Sequence, residues 1–559
     1  MKSSCLDWNE LDLDYRGENN YASFFASGSM IHTYPAKAVP DMINSILKKL
    51  LCDYDVKTVL DPFVGSGTTA LEAKYLNLDF YGSDLNPLAV LLSRAKVLQI
   101  KDVTIIKKVL VEFTDKIIQE QGRKFVVLED FENIEYWFKK ENIYQLSYLK
   151  QCIKFFLNFQ KENLESFALI ILTAFSEAIR ESSLSRKNEF KLYRMSKNDM
   201  KKFNVDSVLA FKKKVEELLD MIVYVCPNLN NMSINNIVLE NAKTLNYLRP
   251  DCIDLVITSP PYGDSKSTVA YGEFSRLSIQ WMGDLLKEFL DIDTESPNCD
   301  ALLLGGNKSK IDEEKCSGIF SSPSVQELIK KIDENINSST ALIKESLEVL
   351  KKIEDGVAED KLKVLDLLEQ DTYCYSIFKE RIRLEKFREY NNIETEFSRN
   401  EKKKMANDYS TSMMELYKTP ELLSQEDCQK LEEFIIQVRG VLLRKLKYVP
   451  KRKNEVILFL KDLYQVVLET DRVLKLGGIQ TWIVGHRTVF GDVIINLADI
   501  LKEWFENLSY NQIANMERRY SFKRMPHHIN STLARNESVN TMMYEYILIM
   551  EKIKRCSDE

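Results

Sequence analysis

Two acids separated by a glycine-rich turn are the first residues in this chain whose spacing could do chemistry. Asp61 closes the short apolar run "KTVLD" (57–61) and Asp84 closes "DFYGSD" (79–84). Between them lies "DPFVGSGTTALEA" (61–73). Gly65 and Gly67 would let backbone approach a ligand closely, and the helix that follows offers N–H groups to an anion. A phosphate loop would need a lysine directly after the second glycine. Here Thr68 and Thr69 follow Gly67, and an acid precedes the turn. Asp61 suits an ammonium rather than a phosphate. Asp84, about twenty residues further on, suits ribose hydroxyls. A ligand with a carboxylate, an ammonium and a ribose is an amino-acid nucleoside, and S-adenosyl-L-methionine has all three.

The second constellation is "ITSPPYG" (257–263). Pro260 and Pro261 remove two backbone donors and fix φ. Carbonyl oxygens, the Ser259 hydroxyl and the Tyr262 ring remain, an acceptor-rich pocket beside a stacking surface. Such a pocket fits a planar ring bearing an NH₂ group. Taken alone, the stretch also reads as a rigid turn ending a strand.

These residues need a scaffold that brings them together. "KTVLD", "TTALEAKYLN", "DFYGSD" and "NPLAVLLSRAKVL" alternate strand and helix with short links, with Pro87 at the second helix start and Asn86 or Asp84 near its cap. The rhythm breaks over 97–235, returns with "NIVLENAKTL" and "IDLVITSPPYG", and breaks again from 264 to about 460. The second break carries helical patterns such as "VQELIKKIDENI" and "ALIKESLEVLKKI". "YQVVLETDRVLKLGGIQTWIVG" (464–485) reads as helix, glycine turn and strand, and "YNQIANMERRY" and "MMYEYILIMEK" close the chain as strands. Seven strand-like runs predict an α/β fold, one open twisted sheet with two large, mainly helical insertions. Ligands of such sheets bind beyond the carboxyl ends of the strands, where Asp61, Asp84 and Ser259 would converge. The expected divisions are 1–96, 97–235 (insertion), 236–283, 284–463 (insertion) and 464–559.

Composition agrees with a globular protein of more than one domain: 559 residues, 45% hydrophobic and 29% charged. No run of about 18 apolar residues suggests a membrane span, and the N-terminus has no apolar signal segment. The ten cysteines form no CxxC pair and stand apart from the four histidines, so reduced thiols, a cytoplasmic setting and no metal site are expected. The net charge of −7 argues against a uniformly basic nucleic-acid binder. Three local stretches are basic: "SRKNEFKLYRMSKNDMKK" (185–202), "RGVLLRKLKYVPKRK" (439–453) and "ERRYSFKR" (517–524). Each reads by default as a solvated face; the second interleaves cations with apolar residues and is the best nucleic-acid candidate.

"DPFVGSGTT", "GSDLNP" and "TSPPYG" resemble motifs I, II and IV of the DNA amino-methyltransferases, and "FASGSMIHTYPAKAVPDMI" (25–43) resembles that family's motif X. The resemblance covers about 25–96, 236–283 and 464–552, not the insertions. Motif I precedes motif IV, whereas many members with an SPPY motif have the reverse order. The resemblance implies a Rossmann-like seven-stranded methyltransferase sheet, S-adenosyl-L-methionine as cofactor and double-stranded DNA as partner, with a cognate restriction endonuclease acting on the same site. It implies cofactor binding by Tyr34, Asp61, Phe63, Gly65, Ser66, Gly67, Thr68, Asp84, Leu85 and Asn86, and catalysis by Ser259, Pro260, Pro261 and Tyr262. No metal is required. Ser259 Oγ and the Pro260 carbonyl would accept the two N–H groups of a flipped base, aiming its lone pair at the methyl donor while Tyr262 stacks on the ring.

Members with serine at the first position of this motif mostly methylate N4 of cytosine, and those with aspartate N6 of adenine, so Ser259 favours cytosine. No cysteine follows a proline, which argues against carbon-5 methylation. One alternative is an RNA amino-methyltransferase acting on tRNA or rRNA, for whose RNA-binding module the stretch before Lys57 is short. Another is an inactive binding protein built on the same sheet. The insertions are the candidates for reading the target sequence, with Tyr271, Phe274 and Arg276 as candidate liners of the base cleft.

Overall fold

Side chains alternate across a strand, and in "TVLD" that alternation sends Val59 to one hydrophobic core and Leu60 to another. The computed structural model shows what those cores enclose. β1 (Thr58–Asp61), β2 (Asp79–Asp84), β3 (Asn235–Leu239), β4 (Ile253–Thr258), β5 (Leu474–Gly485), β6 (Tyr510–Arg519) and β7 (Tyr544–Lys552) form one seven-stranded sheet. Its order is β3-β2-β1-β4-β5-β7-β6. The first five strands pair in parallel, and β7 runs antiparallel to both neighbours. This is the open α/β sheet expected from the strand–helix rhythm, in the Rossmann-like form that the family resemblance implied. The structure describes residues 7–11, 13, 32–122, 126–187, 189, 191–226, 233–263, 269–294, 298–306, 313–359, 372–392, 397–417, 424–490, 493–519, 528–530, 538–540 and 544–553. Residues 25–31 of the motif X stretch and 520–524 of the third basic stretch lie outside them.

One face of the sheet is covered by α1 (Pro40–Asp53), α2 (Thr68–Tyr75) and α3 (Pro87–Lys96). The α3 cap follows from the sequence: Asn86 Oδ1 accepts the Leu88 N–H at 3.1 Å, and Pro87 occupies the first turn. The described residues between 97 and 226 are mainly helical, including α4 (Val103–Glu120), α5 (Lys140–Asn158), α6 (Leu164–Ser182) and α7 (Ser207–Val225). Leu146, Leu149, Phe167, Ile171 and Phe175 share one core with Val59 and Phe80, so these helices thicken the sheet's own layer. α8 (Tyr271–Leu290) packs into the same layer.

The opposite face is closed by α13 (Leu497–Asn507) and by the end of α12 (Gln425–Val473), through Phe459, Leu460, Leu463, Val467, Ile500 and Trp504. α9 (Pro323–Glu359), α10 (Thr372–Asn392), α11 (Arg399–Leu416) and the first half of α12 build a separate core around Ile343, Phe378, Ile382, Met414, Tyr417, Phe434 and Leu442. α12 starts on a capping box between Ser424 and Asp427 and continues unbroken for 49 residues, through Pro450, into the sheet domain. The expected glycine turn before β5 is instead an irregularity within the strand. Leu474 pairs with Ile253 and Ile479 with Leu255, and Gly477 takes φ +74° in the intervening bulge.

The expectation of reduced thiols is corrected at Cys52, exposed at the end of α1, which is disulfide-bonded. A cysteine's redox state depends on the thiol that folding brings beside it, which spacing alone does not reveal. Cys152, Cys226, Cys252, Cys299 and Cys316 are free. No helix among the described residues is long and apolar enough to cross a membrane.

Candidate active site

The strand order reverses between β1 and β4, and both key motifs begin at that switch point. Leu60 pairs with Val256, which brings Asp61 beside the end of β4. Thr258 Oγ1 donates to Asp61 Oδ1 at 2.6 Å and the Phe63 N–H donates to the same oxygen at 3.1 Å. Burial raises the Asp61 carboxyl to about 6 despite hydrogen bonds from Thr258, Thr69 and Phe63.

The glycine turn has a steric cause. Gly67 has φ +78°, and a Cβ there would lie 2.7 Å from Ser93 Cα, so only glycine lets α2 start against α3. Gly65 has φ +51°, and its N–H donates to Asp84 Oδ2 at 3.0 Å. Asp84 Oδ1 accepts from the Asn86 N–H at 2.8 Å. Burial pushes the Asp84 carboxyl up to about 6, opposed by the backbone donors of Asn86 and Gly65 and assisted by the nearby charge of Asp61.

Two adjoining cavities open at these residues. The larger is lined by Tyr34, Phe63, Gly65, Asp84, Leu85, Ser259, Pro261 and Tyr271. Ala36, Pro62, the Glu240–Lys243 segment and the Leu302–Leu304 segment complete its wall. The smaller is lined by Lys37, Asp61, Phe63, Gly65, Ser66, Thr68, Thr69 and Ser259. Ala36, Phe63, Gly65 and Ser259 line both. The Thr68 hydroxyl is buried without a hydrogen-bond partner. Burial lowers the Lys37 ammonium to about 8 against the opposing pull of Glu177. The smaller cavity therefore offers a carboxylate acceptor, a cation and an orphan hydroxyl, which fit an amino acid's ammonium and carboxylate.

The remaining expected residues stand behind the cavity walls. Gly67 shapes the turn. Asn86, 1% exposed, spends its amide on Tyr34 Oη at 3.1 Å, Ser275 Oγ at 2.7 Å and the Tyr271 carbonyl at 3.3 Å. Pro260 is buried. Tyr262 lies beside Ser259, Oη to Oγ 3.3 Å, and donates to Glu545 Oε1 at 2.7 Å.

Of the three candidate liners of the base cleft, Tyr271 lines the larger cavity. Tyr271 stacks on Tyr34 with ring centroids 6.1 Å apart; "STVAYGEFSRLSIQW" points to it only by following the proline turn. Phe274 packs edge-on against Tyr34, and Arg276 lies over Trp137, so both belong to packing. Buried His32 bonds Ser176 Oγ at 2.9 Å and pairs with Glu177 at 3.1 Å, and Thr33 also donates to Glu177. Helix α6 thus holds the 32–38 segment that carries Tyr34 and Lys37.

Of the basic stretches, 185–194 forms a bridged turn, with Arg186 over Tyr193 and Arg194 over Tyr136. Arg518 is 3% exposed and paired with Glu545, so it is no surface cation. Residues 439–453 lie on α12, where Arg444, Lys447 and Lys451 are exposed beside Leu443 and Tyr448.

Comparison with known proteins places the sequence among methyltransferases. A family model described as DNA methylase, covering N6 and N4 methyltransferases, matches residues 12–95. The type II methyltransferase M.MvaI of Kocuria varians is 35% identical over 318 residues, 54% of this chain and 68% of that protein. The type II methyltransferase M.MjaII of Methanocaldococcus jannaschii is 27% identical over 176 residues, 28% of this chain and 31% of that protein. No solved structure matches the chain.

Proposed function

The chain belongs to the DNA amino-methyltransferase family, and on that premise we propose that it transfers a methyl group from S-adenosyl-L-methionine to N4 of cytosine within a specific double-stranded DNA sequence. The observation that carries this reading is the position of Ser259, which lines both cavities at their junction. The smaller cavity suits the amino-acid end of the cofactor: Asp61 for the ammonium, Lys37 and Thr68 for the carboxylate. The larger suits the nucleoside end, with Asp84 for the ribose hydroxyls and Tyr34 with Tyr271 as an aromatic wall. When bound, the cofactor supplies an electrophilic methyl group on a sulfonium.

The protein's own part is to hold the amine. An exocyclic amine is a weak nucleophile because its lone pair is delocalised into the ring. Ser259 Oγ and the Pro260 carbonyl accept its N–H groups, and Tyr262 stacks on the base, which frees the lone pair and aims it at the junction of the cavities. A neutral serine hydroxyl at the first position of the motif supports cytosine over adenine. The DNA backbone is met by the exposed face of α12 bearing Arg444, Lys447 and Lys451, and the helical segments flanking the site read the target. The relatives' type II character supports pairing with a restriction endonuclease of the same specificity.

The test is incubation with labelled S-adenosylmethionine and unmodified DNA, followed by digestion to nucleosides. N4-methylcytosine is expected. N6-methyladenine would overturn the choice of base, and label in tRNA but not in DNA would overturn the substrate.

A further inference from the structure

Methylation of a neutral amine leaves one proton too many on nitrogen, and the structure offers a path for it. Tyr262 Oη lies 3.3 Å from Ser259 Oγ and donates to Glu545 Oε1 at 2.7 Å. Glu545 stands at the start of β7, paired with Gly485 at the end of β5, on the edge of the sheet where the crevice opens. It is 8% exposed and ion-paired with Arg518, itself 3% exposed, at 3.3 Å. A ring that only stacks on a base needs no phenol, and burying an ion pair is seldom favourable for stability alone. The longer Ser259–Tyr262 separation is typical of a catalytic contact before substrate binds.

We propose that Ser259, Tyr262 and Glu545 form a proton path, with Glu545 as terminal acceptor. The proposal rests on the reading that Ser259 accepts an N–H of the target amine. The amine lone pair forms the bond to the methyl carbon, and the carbon–sulfur bond breaks with its electron pair retained by sulfur. The nitrogen, now positively charged, gives one proton to Ser259 Oγ. Ser259 passes its own hydroxyl proton to Tyr262 Oη, and Tyr262 passes its own to the Glu545 carboxylate. The products are a neutral methylamino base, a thioether and a protonated Glu545, with both hydroxyls restored. Arg518 balances the charge of the carboxylate before the transfer. The path serves cytosine N4 and adenine N6 equally, since it handles only the amine.

The test is the single-turnover rate of Tyr262→Phe, which keeps the ring and the Glu545–Arg518 pair but breaks the path. Its rate is expected to fall on the order of 10²-fold, with cofactor and DNA affinities unchanged. The deficit should shrink as pH rises and solvent takes the proton, a response that a purely structural defect would not show. Glu545→Gln should reproduce the loss, and the double variant should be no worse than either single one. If Glu545→Gln fails to fold, Tyr262→Phe still decides. A Tyr262→Phe enzyme that loses no rate at any pH overturns the path while leaving the methyltransferase reading intact. A parent protein that puts no label into DNA overturns both.

Discussion

The Tyr262 phenol and the Glu545 carboxylate meet at 2.7 Å across 283 residues of sequence. This contact fixes the ring at its tip, and the proposed function assigns its face to the base. Tyr262→Ala removes both the stacking surface and the anchor. Stacking of a base on an aromatic side chain is worth about 1–3 kcal/mol, so turnover on DNA should fall roughly tenfold to a hundredfold below that of Tyr262→Phe. Tyr262 lines neither cavity, so cofactor affinity, measured by calorimetry, should stay near the parent value. Equal loss of both would remove the stacking role.

Cofactor affinity should depend on pH at both ends. Asp61 is raised to about 6 by burial, so its hold on an ammonium weakens as pH falls through that value. Lys37 is lowered to about 8 by burial, so its hold on a carboxylate weakens as pH rises through that value. The ligand's own amine titrates nearby, so the Lys37 share is read from the difference between the parent and Lys37→Met. The sign for stability is opposite to that for binding at Asp61. A raised carboxyl favours the fold when protonated, a contribution present below about pH 4 and lost as pH rises through about 6. Asp61→Asn should therefore be no less stable at neutral pH, while losing about 1.5–3 kcal/mol of cofactor binding. A flat affinity profile from pH 5 to 9 would contradict this assignment.

Gly67→Ala should damage fold and site together. The left-handed φ costs about 1–3 kcal/mol for a residue with a side chain, and the new methyl would lie 2.7 Å from Ser93 Cα. Urea unfolding should show a loss of at least about 2 kcal/mol, accompanied by weakened cofactor binding. Gly122 has a similar φ of +80° but open space around it. Gly122→Ala should therefore cost only the backbone strain and spare binding.

Neutralising Arg444, Lys447 and Lys451 together should weaken DNA binding without touching the cofactor. Each phosphate contact contributes about 0.9 to the slope of log affinity against log salt. The triple alanine variant should flatten that slope by up to about 2.7. An unchanged slope would show that this face of α12 stays away from the duplex.

The parts legible in the sequence are those that local rules dictate. Asp61 and Asp84 each end a short apolar strand, and Gly65 and Gly67 occupy backbone conformations that other residues avoid, so strand ends and turn stand out without a structure. The cap at Asn86 was equally readable, but its amide is spent on Tyr34, Ser275 and Tyr271, a use that depends on helix α8 arriving from elsewhere. Lys37, Glu177 and Glu545 gave no signal because each acts through a partner remote in sequence. Arg518 was misjudged for the same reason: in "ERRYSFKR" it counts as surface charge, yet an alternating strand turns it inward to Glu545. The glycine pair at 477–478 looked like a turn because a bulge needs the same backbone freedom as one.

Helix α12 joins the outer bundle to the sheet as one element of 49 residues, a rod about 74 Å long at ordinary helical rise. Near its inner end Asp462, fully buried, grips Lys243 at 2.8 Å and the Gly305 N–H at 2.7 Å, both beside the larger cavity. Force applied at the distal tip has no loop in which to dissipate before it reaches that grip. Pro450, partway along, has no N–H to donate and leaves one helical hydrogen bond unmade, so the rod is least braced at a point between the outer bundle and the sheet.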